Sequence, residues 1–468
     1  MLKKNDTLIV DITDMTSEGY GVCRHENYVI FVLGCATGDK AEIKMMKVLK
    51  NFGYGKLINL IQQSELRTEN KCKAFPSCGG CVFRHIKYEE ELNIKKNIVA
   101  HNFKAIGGFD LEPEEMVGSP LIERYRNKAE YPAVQVGENI QFGFYARGSH
   151  RVIPCDDCLL QPASFEPIVK CVKDYCDNNK IRAYNEETGI GTIRHLYIRC
   201  GIETGEIMVC LVSRKDKLRN EQELVSSLLK TNNKIQSIVL DVNTDNTNVI
   251  LSENYRVLSG KEFIQEKLNG LTFNISPLSF FQVNKYTAEL IYSKTCEYAS
   301  PTKDDVILDL YCGTGTIGLS MAESAKEVVG VEIIQDAVDN AVINAKNNGI
   351  SNAEFICGDA GVIANDLENK IKPSVVILDP PRAGLDENTV KQVVKMNPKK
   401  IVMVSCNSAT AARDCKSFAE SGYTIEHLSA FDMFPRTGHV ETVIGLYRKD
   451  NLSSAKVTYP KLAKNDHH

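Results

Sequence analysis

The chain has 468 residues, which at roughly 150 residues per domain predicts about three domains. Hydrophobic residues make up 43% of it, enough for a sizeable core, and the net charge of −4 rules out an overall polycation. A nucleic-acid partner must therefore be met by a local basic patch. No signal peptide opens the chain and no apolar run is long enough to span a bilayer, so the expectation is a soluble cytoplasmic protein. Sixteen cysteines without a secretory context point to metal, redox or catalytic use rather than disulfides. Cys200, Cys210 and Cys357, in apolar strand-like runs, read as small core residues.

Residues 1–62 read as short strands broken by glycine turns. Leu8–Ile12 leads to Glu18-Gly19-Tyr20-Gly21, then to Tyr28–Val32 and Ala41–Ile43. That spacing predicts a small β-barrel of the oligonucleotide-binding type. Its 8 Lys+Arg against 7 Asp+Glu do not by themselves establish RNA binding, and a β-module of another purpose stays open. Next comes Cys72-x5-Cys78-x2-Cys81, a thiolate spacing that suits an iron–sulfur cluster, with zinc as competitor. Tyr88–Phe103 carries Leu92, Ile94, Ile98 and Val99 among lysines and predicts an amphipathic helix.

Residues 118–265 read as mixed α and β, with hairpin-like stretches at Thr192–Arg199 and Glu206–Val212. Arg124, Arg126, Lys128, Arg147 and Arg151 alternate there with Tyr125, Tyr131, Phe142, Phe144 and Tyr145. Such a run can hold phosphates and stack bases; a partly buried hairpin accounts for it equally well.

From about residue 300 the pattern becomes regular. Strand-like Val306–Tyr311, Glu327–Glu332, Ala353–Cys357, Val375–Leu378 and Ile401–Val404 alternate with helical stretches. The clearest is Gln335–Asn347, where Ala337, Val338, Ala341, Val342 and Ala345 share a face. The expectation is an α/β fold with a doubly wound sheet, finished by a strand pair at Thr424–Phe434 and Glu441–Arg448. Asp309-Leu310-Tyr311-Cys312-Gly313-Thr314-Gly315-Thr316-Ile317-Gly318 follows the first strand. Its G-x-G-x-x-G suits a dinucleotide as well as S-adenosylmethionine, and Glu332 can hold a ribose diol in either case. Asp379-Pro380-Pro381 after the fourth strand favours a base-modifying methyltransferase. Cys406, closing the fifth strand, sits where open sheets bind ligands and where an attacking thiolate belongs.

With these motifs the chain resembles the RNA (uracil-5-)-methyltransferase family, in particular its 23S rRNA branch with an N-terminal TRAM domain. The resemblance runs through residues 1–450. It rests on Phe280-Phe281-Gln282-Val283-Asn284, the Asp309–Gly315 loop, Asp379-Pro380-Pro381-Arg382, Ser405-Cys406-Asn407 and His439-Val440-Glu441-Thr442. It implies Cys406 as nucleophile and Glu441 as general base. Gln282, Tyr311, Glu332, Asp359 and Asp379 match cofactor-contacting positions. Cys72, Cys78, Cys81 and Cys158 match the ligands of a [4Fe-4S] cluster, structural or RNA-positioning, with Cys155 as a rival for the fourth place. Ser408 departs from the proline that some relatives carry.

The implied architecture is a TRAM-like barrel of the oligonucleotide-binding kind (1–62), a central mixed α/β iron–sulfur and RNA-binding domain (63–265) and a class I, Rossmann-like methyltransferase domain (266–450). A polar tail (451–468) follows, and the segment near 84–115 is expected against the catalytic domain. The implied reaction is methyl transfer from S-adenosylmethionine to carbon 5 of an unpaired or loop uridine in 23S rRNA, by a monomer with no membrane association. The thiolate is needed because carbon 5 of uracil is a poor nucleophile until a thiolate adds at carbon 6. A base must then remove the carbon-5 proton, and the uracil must be flipped out to reach the site. The alternatives are a tRNA uracil-5 methyltransferase and a non-catalytic iron–sulfur RNA-binding factor.

Overall fold

The computed structural model describes residues 2–368 and 370–451. The expected tail thus lies outside the described residues apart from Asn451. Thr7–Gln62 form a six-stranded sheet whose strands, counted along the chain, lie in the order 1-5-6-4-3-2. Alternation decides its inner face, where Ile30, Val32, Ala41, Ile43 and Met45 are fully buried.

Lys128–Gly260 form a seven-stranded sheet in the order 3-2-1-4-5-6-7. Helices Phe165–Asn178 and Glu221–Thr231 bury Val169, Val172, Leu224 and Leu228 in its core. The hairpin expected here is present as Ile193–Cys200 antiparallel to Ile207–Ser213. Only part of the basic and aromatic run is open to a partner, since Phe144 and Tyr145 alone among its aromatics are half-buried. Tyr125, Tyr131 and Phe142 are completely buried, so no base can reach them.

The eight-stranded catalytic sheet comprises β1 (Glu115–Val117), β2 (Val306–Leu310), β3 (Glu327–Glu332), β4 (Ala353–Cys357), β5 (Val375–Leu378), β6 (Lys400–Ser405), β7 (Tyr423–Phe431) and β8 (Glu441–Arg448). Their order is 4-3-2-5-6-8-7-1. Strands β2 to β6 are parallel neighbours, β8 runs antiparallel between β6 and β7, and β1 pairs in parallel with β7. Parallel strands buried on both faces need unbroken apolar runs, and Val375–Leu378 is buried throughout.

Helix α1 (Tyr88–Asn102) lies against this domain: Val99 and the following Phe103 share a core with Ala411, Ala412, Cys415 and Phe418. It is less simply amphipathic than its pattern suggests. Glu91 and Lys95 are fully buried, because Lys95 Nζ reaches Glu91 Oε1 (2.8 Å), Asp432 Oδ1 (2.7 Å) and the Phe434 carbonyl (3.3 Å). Two further expectations fail. Cys357 is exposed, as the last residue of edge strand β4, whereas Cys200 and Cys210 are buried. In Gln335–Asn347, Val342 turns outward at 50% exposure while Ala337, Val338, Ala341 and Ala345 are buried. Among the described residues no helix is long and apolar enough to cross a membrane.

Candidate active site

The proposed cofactor and catalytic residues come from the carboxyl edge of the parallel strands, from a loop folded over it or, for Glu441, from the first position of the antiparallel β8 beside it, where open α/β sheets bind ligands. Gln282, Tyr311, Glu332, Asp359, Asp379, Cys406 and Glu441 all line one cavity of about 620 Å³. Phe281, Tyr292, Arg382 and Phe434 complete walls that the sequence reading left without a role.

The glycine loop leaves β2 and enters the helix α2 (Thr316–Met321). Asp309 Oδ2 accepts the Gly318 amide at 2.9 Å, and a Cβ on Gly318 would lie 2.8 Å from that oxygen, so only glycine lets the turn close. Burial pushes the Asp309 carboxyl up to about 8, and its Oδ1 has no hydrogen-bond partner. At the end of β3, Glu332 accepts the amides of Gly313 and Ile334, both at 3.0 Å. This ties the glycine loop to the end of β3. Asp359 caps the helix Ala360–Leu367 by accepting the Val362 amide at 3.0 Å. Tyr311 takes a left-handed conformation (φ 66°) and its hydroxyl lies 3.4 Å from Thr389 Oγ1. The backbone carbonyl of Gln282 accepts from Asn127 of the central domain at 2.9 Å, and two residues later Asn284 caps the helix Lys285–Ala299.

Opposite the loop stand Asp379, Arg382, Cys406 and Glu441. Burial raises Asp379 to about 7, and burial followed by the charge of Asp379 raises Glu441 to about 8, against the pull of Arg382. Burial and the neighbouring Glu441 push the Cys406 thiol up, while Arg382 draws it down. Arg382 Nη2 donates to His439 Nε2 at 3.3 Å; burial and the Arg382 charge hold that imidazole neutral, down at about 4. Asn407 fixes the Cys406 turn: its Nδ2 donates to the Arg382 carbonyl (3.0 Å) and its Oδ1 accepts the Ala409 amide (3.1 Å). Ser408, the departure from proline, has a use of its own, since its Oγ accepts from Asn102 Nδ2 at 2.8 Å and ties α1 to the helix after Cys406.

The cysteine segment forms a second site. Cys72, Cys78, Cys81, Cys155 and Cys158 line one cavity of about 200 Å³, together with Arg84, Arg126 and Lys128. Burial pushes Cys81 and Cys155 up to about 12 and Cys158 to about 11. Arg84 lies beside the Cys81 thiol, with its Nε and Nη2 buried and lacking hydrogen-bond partners and its Nη1 held by Glu123 at 2.8 Å. Among the described residues no three His, Cys, Asp or Glu side chains take the geometry that holds a metal ion. Five thiols around one cavity, beside a buried guanidinium that Glu123 satisfies at only one nitrogen, nonetheless fit a group that brings negative charge and takes thiolates. Both Cys155 and Cys158 are at hand for the fourth place.

The sheet with antiparallel β8 between β6 and β7, and Asp379-Pro380-Pro381 in the same cavity as the glycine loop, fit a Rossmann-like, S-adenosylmethionine-dependent methyltransferase. Residues 2–58 match the TRAM domain. The chain belongs to the family described as tRNA (Uracil-5-)-methyltransferase, which matches residues 87–449. It is 39% identical over 95% of its length to an uncharacterized RNA methyltransferase of Clostridium tetani, covering 96% of that protein. A second such protein, from Clostridium acetobutylicum, is 40% identical over 96% of this chain and 98% of its own length. Among solved structures, the Pyrococcus abyssi tRNA (uracil-54, C5)-methyltransferase in complex with S-adenosyl-L-homocysteine superposes with a TM-score of 0.75. It is 28% identical, over 94% of this chain and 99% of that one.

Proposed function

We propose that this protein methylates carbon 5 of a uridine in 23S rRNA through a covalent adduct with Cys406. The observation that carries the reading is the shared cavity: Cys406 and Glu441 face the glycine loop across it. Gln282, Tyr311, Glu332, Asp359 and Asp379, which line that cavity, would hold the cofactor. When bound, S-adenosylmethionine supplies an electrophilic methyl group, and S-adenosylhomocysteine leaves.

The Cys406 thiolate adds to carbon 6 of the flipped uracil, forming an S–C bond and sending the double-bond electrons into an enolate. Carbon 5 then takes the methyl. Glu441 removes the remaining proton from carbon 5, the ring double bond re-forms and the C–S bond breaks, returning the thiolate. A carboxyl raised to about 8 suits a base that must work near neutral pH. Arg382, beside both groups, favours their ionised forms. Cys72, Cys78, Cys81 and Cys158, with Cys155 as the rival for the fourth place, would hold a [4Fe-4S] cluster that is structural or RNA-positioning and takes no part in the methyl transfer.

The second reading is a tRNA substrate. The Pyrococcus abyssi relative acts on tRNA and matches too much of this chain to lack a counterpart of the N-terminal sheet, so that module alone does not separate the two RNAs. Methyl transfer to unmodified 23S rRNA fragments and to unmodified tRNA, with the product base located, decides between them. Methylation of tRNA alone would overturn the ribosomal reading, and methylation at any atom other than carbon 5 would overturn the chemistry.

A further inference from the structure

Arg84 is a buried cation with more than half of its N–H donors unused. Its side chain is 4% exposed, yet only Nη1 has a partner, Glu123 Oε1 at 2.8 Å. Nε and Nη2 are buried and make no hydrogen bond. A guanidinium taken out of water is strongly destabilising unless acceptors meet its N–H groups. Glu123 does not remove that penalty, since its carboxylate is 39% exposed and reaches one end of the fork alone.

The backbone around Arg84 is pinned on both sides, so the residue is held where it is. The Val82 and Phe83 amides donate to the Arg436 carbonyl at 2.8 and 3.2 Å, and His85 Nε2 lies 3.1 Å from the Cys35 carbonyl oxygen. In that position Arg84 lines the cavity of Cys72, Cys78, Cys81, Cys155 and Cys158, beside the Cys81 thiol. Two other cations line it. Lys128 is met by Glu130 at 2.9 Å and Arg126 is half-buried, so of the three Arg84 alone brings a fully buried charge with open donors.

Thiolates that share one cavity raise the opposite problem. Four of them around an iron–sulfur core leave net negative charge in a place shielded from water, and an added electron deepens it. The unmet donors of Arg84 and the unmet charge of such a group answer each other.

We propose that Arg84 is the counter-ion of the iron–sulfur group, its free Nε and Nη2 donating to the sulfur atoms held in the cavity and so setting the reduction potential of the cluster. The assignment rests on the cluster proposed above and goes beyond it by naming a residue that binds no iron. Hydrogen bonds and positive charge at the sulfurs favour the more negative, reduced form, so Arg84 raises the potential. The compact ammonium of lysine keeps the charge but not the fixed fork, which makes Arg84→Lys a graded test.

Full-length wild type and variants, purified without oxygen, are titrated with dithionite through redox dyes and followed by visible absorbance and iron content. Arg84→Met should keep the iron of wild type and lower the midpoint potential by about 59 mV or more, a tenfold shift in a one-electron equilibrium. Arg84→Lys should fall between the two. Lys128→Met, whose charge Glu130 already meets, should shift the potential less. Iron missing from Arg84→Met but retained by Arg84→Lys at a lowered potential would also support the counter-ion, because its charge is then needed to hold the cluster at all. Iron-loaded Arg84→Met at the wild-type potential would overturn the role of Arg84 and leave the cluster standing. So would loss of iron from both Arg84 variants, or a shift in Lys128→Met as large as that in Arg84→Met. Wild type without iron would sink the cluster and this assignment together.

Discussion

Cys406 and Glu441 are brought together by one register: Ser405 is the last residue of β6 paired with β8, its partner is Thr442, and the two reactive side chains come one step beyond that pair. Neither residue depends on a flexible loop for its position. The Thr442 hydroxyl also donates to the Ser405 carbonyl at 3.2 Å, which locks the strand ends together.

Replacement of either residue should therefore interrupt a different step. Cys406→Ala should give no covalent RNA adduct and almost no methyl transfer, because the enolate never forms. Glu441→Gln should add and methylate but fail to lose the carbon-5 proton. Methylated RNA should then remain attached through Cys406 and run as a slow, denaturant-resistant band labelled by a methyl-labelled donor. Wild-type turnover by Glu441→Gln without trapped RNA would remove Glu441 from the mechanism.

The rate should depend on pH with a definite sign. Glu441, raised to about 8, must lose its proton to act as a base, and the Cys406 thiol, also raised, must ionise to attack. Single-turnover rates should rise from about pH 6 to about pH 9 rather than fall. Arg382 pulls both groups down, so Arg382→Gln should move the rising limb to higher pH, with Arg382→Lys in between. A profile that stays in place when Arg382 is neutralised would show that its charge does not govern the two groups.

Much of this site was legible because period and motif agree: unbroken apolar runs such as Val375–Leu378 ended in reactive residues, which is the pattern of a parallel sheet read at its carboxyl edge. What stayed hidden depends on partners remote in sequence. Lys95 looks like a wet-face lysine until Asp432, 337 positions away, is seen beside it. Tyr125, Tyr131 and Phe142 read as a stacking run because local composition does not say which face of a strand a second layer will cover. The half-buried rings on the outer face of the N-terminal sheet stayed hidden for the converse reason: Tyr20, Phe31, Phe52 and Tyr54 come from three strands and form a group only through register.

The buried Lys95 should be costly to lose. Lys95→Met leaves Glu91 and Asp432 as adjacent buried carboxylates without their shared cation. Breaking a buried pair in this way costs about 3–5 kcal/mol. Denaturant titration should show that loss, and methyl transfer should fall as well, since Lys95 also holds the Phe434 carbonyl and Phe434 walls the cavity. The exposed pair Lys104–Asp110 provides the control, and Lys104→Met should leave stability unchanged within error. Equal stability of the two variants would mean that the buried network is dispensable.

The cysteine cavity yields a test that does not rely on activity. Protein purified without oxygen should be brown and carry about four irons per chain. Cys72→Ser, Cys78→Ser and Cys81→Ser should each lose most of that iron, because each removes a thiolate from the same cavity. Cys158→Ser and Cys155→Ser settle the fourth place: the ligand's variant should lose iron and its absorbance, while the other should retain both. With five thiols lining the cavity, a partial loss in both variants would mean that either cysteine can serve. Stoichiometric zinc without iron in the anaerobic protein would overturn the cluster and leave a structural zinc site in its place.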